Sequence, residues 1–201
     1  PEFSRRSLEI LRQPLEDKVI RISRVYGTYD FPADFMLCAA MNPCPCGHYP
    51  DMNRCRCTPA QVMQYLGRIS QSLLDRLDLC AEVSPVDFEG LSSGRKGEST
   101  QTIRERVICA QDIQRERYKI EGIQFNGELS GAQIEKYCKM EKDARQLLKM
   151  AFQNMSFSAR AYHRILKVAR TIADMEATES IHRHHIAEAL SYRAFDKKYW
   201  N

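Results

Sequence analysis

The pair Cys44-Pro-Cys46 and Cys55-Arg-Cys57, eight residues apart, most limits how this chain can fold. The loop between them, Gly47 to Arg54, is largely polar and offers little apolar surface to offset the entropy of ordering it. Four thiolates from two short knuckles can close a tetrahedral zinc site, and such a site fixes a loop too polar to fold alone. The C-x-C spacing is tighter than the C-x₂-C of common zinc knuckles. A metal-free loop, reduced or disulfide-linked, is therefore the other reading. Catalysis is the least favoured role, because a closed four-cysteine site leaves no open coordination position.

The other cysteines, Cys38, Cys80, Cys109 and Cys138, sit in apolar or helical contexts, where a free thiol behaves as a small hydrophobe. That usage predicts a cytoplasmic protein, since a secreted disulfide scaffold is shorter and denser in cysteine. No apolar run approaches the roughly 20 residues of a membrane span, and no signal peptide opens the chain. A net charge of +4 permits a nucleic-acid partner without requiring one. The chain opens Pro1-Glu2-Phe3 with no initiator Met, which suggests a piece of something longer.

Taken in order, residues 4–17 read as a helix on Leu8, Leu11 and Leu15, ending or kinking near Gln13 because of Pro14. Val19–Val25 alternates as a strand. Tyr26–Asp30 reads as a turn, and Phe31 onward pairs back to make a hairpin. Phe35–Met41 is nearly continuously apolar, as in a strand covered on both faces. Thr58-Pro59-Ala60-Gln61 is a capping box with Pro at the first helical position. Gly67 interrupts that helix and Ser70 restarts it, before a short strand at Leu79–Val83. Gly, Ser and charge from Glu89 to Thr100 mark a linker. Beyond it the stripes are helical: Ile103, Val107, Ala110 and Ile113; then Ala144, Leu147, Leu148 and Ala151; then Ala161, Ile165, Val168, Ile172 and Met175; then Ile186, Ala189 and Leu190. Ser130-Gly131-Ala132-Gln133 is a second capping box, and Ser158 a third helix cap. The predicted organisation is an α/β piece followed by a helical bundle.

Among candidate functional residues, Asn42 ends an apolar strand, where open α/β sheets hold their ligands, although Asn before Pro is also an ordinary turn residue. Arg76 lies in the cluster Asp75, Arg76, Asp78, either a solvated charge patch or a catalytic cation. Arg160 opens a helix, where a basic side chain opposes the dipole unless an anion accompanies it. Arg21, Arg24, Tyr26 and Tyr29 give the hairpin the basic and aromatic content of a single-strand binder, or simply of an exposed hairpin. His182, His184 and His185 are too close on a helix start to share one metal and read as surface residues. No G-x-x-x-x-G-K-[ST] phosphate loop occurs.

Ala39-Ala-Met-Asn-Pro-Cys-Pro-Cys-Gly47, Cys55-Arg-Cys-Thr-Pro59, Gly67-Arg-Ile-Ser70, Leu73-Leu-Asp-Arg-Leu-Asp-Leu79, Ser158-Ala-Arg-Ala161 and Val168–Asp174 together resemble the magnesium chelatase-like AAA+ ATPases of the YifB/ComM type. The opening Pro-Glu-Phe-Ser-Arg-Arg-Ser-Leu-Glu resembles the segment just after that family's Walker B acidic pair. The resemblance implies residues 1–92 as the carboxyl part of an AAA+ α/β core and 93–201 as its all-α lid. The Walker motifs would lie upstream, so the piece alone would be inactive. It implies ATP with Mg²⁺ as cofactor, Asn42 as sensor 1 and Arg76 as an arginine finger pointing outward to a neighbour in a homohexamer. Arg160 becomes sensor 2, and Lys18–Phe31 a pore-lining hairpin. The cysteine loop, with Cys44, Cys46, Cys55 and Cys57 as structural zinc ligands, is characteristic of the YifB/ComM branch. That branch points to DNA work, helicase or branch migration, over the alternatives of magnesium insertion into a tetrapyrrole or a zinc-stabilised protein-interaction module.

Overall fold

The computed structural model describes residues 1–83, 88, 92, 97–155 and 157–193. The chain divides into two compact units, one containing Pro1–Leu77 and one spanning Asp78–Ala194. The division falls earlier than the linker at Glu89–Thr100, most of which lies outside the described residues, as does Pro85. Local bonds explain why Asp78 and Cys80 go with the second unit. Asp78 accepts from Arg164 at 2.5 Å, and the Cys80 N–H donates to the Tyr192 carbonyl at 3.1 Å.

The first unit opens with two short helices, α1 (Arg5–Ile10) and α2 (Arg12–Asp17), in place of the single predicted helix. Ser4 caps α1 by accepting the Ser7 N–H at 3.1 Å. Pro14 has no N–H to offer the Ile10 carbonyl, so the chain breaks at Leu11 and Pro14 falls in the first turn of α2, where it is tolerated. Lys18, in the left-handed region at φ 56°, ends α2. The hairpin follows as β1 (Val19–Arg24) and β2 (Gly27–Pro32), antiparallel with Arg24 opposite Gly27. The turn is thus Val25-Tyr26, and Gly27–Asp30 of the stretch predicted as turn is strand. One face pairs Ile20 with Phe31 and Ile22 with Tyr29; the other pairs Arg21 with Asp30 and Ser23 with Thr28.

Phe35–Met41 forms no strand; it runs irregular and mostly exposed, with Met36 91% exposed. A strand buried on both faces needs ladder partners and a covering layer. Among the described residues the hairpin is the whole sheet, and nothing pairs with this stretch. Leu79–Val83 forms no strand for the same reason. The α/β layer expected of a nucleotide-binding core is therefore represented by its hairpin and helices only. Helix α3 (Pro59–Leu66) starts on the predicted capping box: Gln61 N–H donates to Thr58 Oγ1 and Thr58 N–H to Gln61 Oε1 at 2.8 Å. Gly67 ends it, and α4 (Gln71–Leu74) restarts on Ser70.

Among the described residues the elements of the second unit are helical: α5 (Thr100–Tyr118), a 3₁₀ turn (Asn126–Glu128), α6 (Gly131–Tyr137), α7 (Lys142–Met155), α8 (Ala159–Met175) and α9 (Arg183–Ser191). Its core joins Tyr118, Leu129, Ile134, Ala144, Leu148, Ile165, Ala169, Ile181 and Ile186. The predicted stripes of α7, α8 and α9 face this core, though Met175 is exposed. That of α5 does so only in part: Ala110 is buried and Ile113 partly buried, but Ile103 and Val107 are exposed, while Gln114 and Tyr118, outside the stripe, are buried. Within this core Asp174 accepts from Arg117 at 2.5 and 3.0 Å, from Arg170 at 3.1 Å and from Asn126 at 2.9 Å. Arg170 also reaches the Thr178 and Glu179 carbonyls, each at 2.5 Å. Burial pushes the Arg170 guanidinium down, whereas for Arg117 the bond to Asp174 outweighs its burial and holds it up.

Candidate functional site

The loop brings its four cysteines together. Cys44 is fully buried against Val62, Tyr65 and Leu66 of α3, with Tyr49, Cys55 and Cys57 packed around it. Cys46 is exposed, and Cys55 and Cys57 are half-buried. Sγ of Cys44 lies 3.4 Å from that of Cys46 and 3.8 Å from that of Cys55, and Cys46 lies 3.6 Å from Cys55. All four sulfurs fall within 4.8 Å of one another. A zinc ion bound at about 2.3 Å from each sulfur sets sulfur–sulfur edges of roughly 3.8 Å, so the thiols already stand near the corners a tetrahedral ion needs.

The charges agree with that donor set. Backbone N–H groups of His48 and Arg56 draw the Cys46 thiol down to about 6. For Cys57 the Cys46 N–H pulls down, but burial and the thiolates of Cys46 and Cys44 outweigh it and push the thiol up to about 12. One thiolate therefore forms readily and discourages the next, an imbalance a divalent cation at the centre would remove. The loop carries backbone support of its own: Tyr49 N–H donates to Cys44 Sγ at 3.4 Å, and Gly47 N–H to the Cys44 carbonyl at 3.1 Å.

Asn42 sits immediately before this knuckle and is exposed. Its carboxamide has no hydrogen-bond partner among the described residues. It lies over Gly47, which holds φ at +81°; a Cβ built there would stand 3.8 Å from Asn42 Cγ and Nδ2 and 4.0 Å from Oδ1. Near-equal distances to three atoms mean that the amide presents its flat face to Gly47. Its polar edge is left open for something else.

Arg76 behaves differently from the expectation that it points outward. Its side chain is only 10% exposed and ion-paired to Glu16. Nε donates to the Arg12 carbonyl at 3.1 Å, and a terminal nitrogen to the Ser72 carbonyl at 2.5 Å. These bonds tie α4 to α2 and turn the cation inward. Glu16, sixty residues earlier in the chain, supplies the carboxylate that holds it there. Arg76 also lines a cleft of about 780 Å³ between α1, α2 and β1, which Asn42 does not line. Arg160 is exposed in the first turn of α8.

At the hairpin tip Val25 and Tyr26 are almost wholly exposed. Arg21 is held by Asp30 through two bonds of 2.8 and 3.0 Å, which leaves Arg24 as the cation beside the tip. The three histidines are not simply surface residues: His185 is fully buried. Its Nδ1 accepts the His182 N–H at 2.9 Å, and its Nε2 lies 2.9 Å from Glu176, as does Nε2 of His184. With Nδ1 committed as acceptor, the neutral ring carries its proton on Nε2, which makes it a donor to Glu176 and a poor metal ligand. The signal missed was His185 at the third position after His182, where a capping side chain belongs.

Residues 1–91 match the family described as "Magnesium chelatase, subunit ChlI", and residues 97–193 its companion "Magnesium chelatase, subunit ChlI C-terminal". The chain is 45% identical to the protein named YifB of Salmonella typhimurium over 199 residues, covering 98% of this chain and 38% of that protein. It is 45% identical to "Competence protein ComM" of Haemophilus influenzae over 195 residues, 96% of this chain and 37% of the relative. The YifB protein of Escherichia coli is 42% identical over 199 residues, again 98% and 38%. The chain thus spans well under half the length of these relatives. No helix among the described residues is long and apolar enough to cross a membrane.

Proposed function

Because the chain belongs to the magnesium chelatase ChlI-type family of AAA+ proteins, on its YifB/ComM side, we propose that it forms part of an ATP-driven ring motor that remodels DNA. Asn42 carries the reading. It is an exposed carboxamide with its polar edge open and its face backed by a knuckle. A carboxamide offers donors and an acceptor together, which suits it to orient the water that attacks a γ-phosphate. Phosphoryl transfer asks for positioning and positive charge more than for covalent chemistry. Arg160, on the lid helix α8, would bring charge to the phosphates. Mg²⁺ entering with ATP supplies the remaining neutralisation. No G-x-x-x-x-G-K-[ST] phosphate-cradling loop occurs in the sequence, so in this scheme that part of the pocket is made by other residues.

Arg76 serves as a finger across subunits in this scheme only after release from Glu16. Mixing full-length Arg76→Ala with wild type decides the point: a trans-acting arginine gives loss out of proportion to dose, and a structural one gives linear loss. The cysteine knuckle would hold zinc in a closed, structural site. DNA is favoured as cargo by the hairpin, whose tip shows Tyr26 for stacking and Arg24 for phosphate. The name borne by the matched family supplies the second reading, magnesium insertion into a tetrapyrrole. ATP turnover by the full-length protein, measured with single-stranded DNA and with a porphyrin, separates the two. Stimulation by DNA supports the motor; stimulation by porphyrin alone overturns the DNA assignment.

A further inference from the structure

We infer that the metal-loaded cysteine knuckle is the seat of Asn42, with Gly47 as its positioning residue, so that metal occupancy sets the orientation of the Asn42 carboxamide. This rests on the Asn42 reading above for its consequence in catalysis, but not for its structural content.

Three observations carry it. First, Asn42 and Cys44 are separated by Pro43 alone, and Cys44 is the anchored end of the knuckle, fully buried on α3. Second, the surface Asn42 rests on is Gly47, the residue directly after Cys46, closed into a turn by its N–H bond to the Cys44 carbonyl at 3.1 Å. Gly47 holds φ at +81°, a conformation that L side chains rarely adopt. Third, Asn42 has no hydrogen bond to any described residue, so its orientation depends on this contact and on the backbone leading into the knuckle.

Metal binding acts on that arrangement directly. Four Sγ–metal bonds would fix Cys44 and Cys46 relative to Cys55 and Cys57, and therefore fix the 44–47 turn against which the amide lies. Without the ion, no bond through a shared metal joins the 44–46 knuckle to the 55–57 knuckle, and the platform under Asn42 is held less firmly. The amide then samples many rotamers, and a water-orienting edge held in many directions orients nothing.

The test uses this chain and follows the Asn42 side-chain NH₂ resonances by ¹⁵N NMR. The chain is taken with one equivalent of zinc, after chelation, and after zinc or cadmium is returned. One sharp pair with metal, shifted or broadened on stripping and restored on reloading, is the expected result. Failure of the chain to take up one equivalent of metal overturns the inference, as does a pair indifferent to loading. Chelation could melt the whole first unit, so Gly47→Ala with metal retained is the second variant. Unchanged cysteine Cβ shifts with a displaced Asn42 pair support the seat; an unmoved Asn42 pair overturns it. In the full-length ATPase, Gly47→Ala is expected to lower kcat several-fold with KM for ATP kept. An Asn42 pair that tracks metal while Asn42→Ala leaves hydrolysis unchanged would retire the sensor reading and leave this inference standing.

Discussion

The two units of this chain reach order by opposite means. The helical unit owns a continuous apolar core and a buried ionic network around Asp174, all of it supplied by one stretch of chain. The unit from Pro1 to Leu77 packs a small cluster around Cys44, and it leaves the apolar stretch Phe35–Met41 unpaired. The first is held by packing; the second gathers its small core around one cysteine cluster and covers little of its own apolar surface. Where the exposed apolar residues lie shows which part of the chain covers its own apolar surface and which does not.

The largest expected effect on this contrast comes from metal. Chelation of the metal-loaded chain should unfold the 44–66 region, with apparent binding energy on the order of 10 kcal/mol by analogy with small zinc folds. The helical unit should stay protected in hydrogen exchange under the same conditions. Simultaneous loss of protection in both would break the comparison. Next comes Asp174→Ala, which strands the buried Arg170 and the half-buried Arg117. Removing one partner of such a network costs about 3–5 kcal/mol, and denaturant melts should show it in the helical unit alone. Thr58→Ala removes the cap of α3 for about 1 kcal/mol, and sharpens the contrast by loosening only the knuckle's base.

The smallest effect is acid sensitivity around Glu121. Its bonds to Lys136, Tyr137 and Gln133 pull the carboxyl from an ordinary 4.5 down to about 2. A depressed carboxylate gives stability that is present above its unfolded value and lost as pH falls through the folded one. The contribution therefore fades between about 4.5 and 2, modestly because the group is solvent-exposed. Glu121→Gln should flatten that limb of the pH–stability curve; an unchanged limb would remove the ion pair from the account.

Local chemistry was legible in the sequence. Thr58 with Gln61, Ser130 with Gln133, Ser70 and Ser158 all cap as their spacing demands, because a cap involves residues within one turn. The cysteine cluster was legible for a similar reason: two C-x-C knuckles constrain each other across a short loop. What the sequence hid depends on distant partners. Apolar content alone marked Phe35–Met41 as a strand, but a strand exists only where another lies beside it. Helix α5 carries apolar residues on more than one face, and contact with α8 and the 3₁₀ turn chose Ala110, Gln114 and Tyr118 over Ile103 and Val107. Arg76 read as an outward cation because nothing nearby in sequence announces Glu16 as its partner.

The most direct measurement is ATP hydrolysis by the full-length protein beside its Asn42→Ala variant, with nucleotide binding followed in parallel. Loss of a group that positions the reacting atoms costs roughly a hundredfold or more in kcat. The account predicts a fall of that order with ATP binding retained. Equal turnover by the two proteins would contradict it.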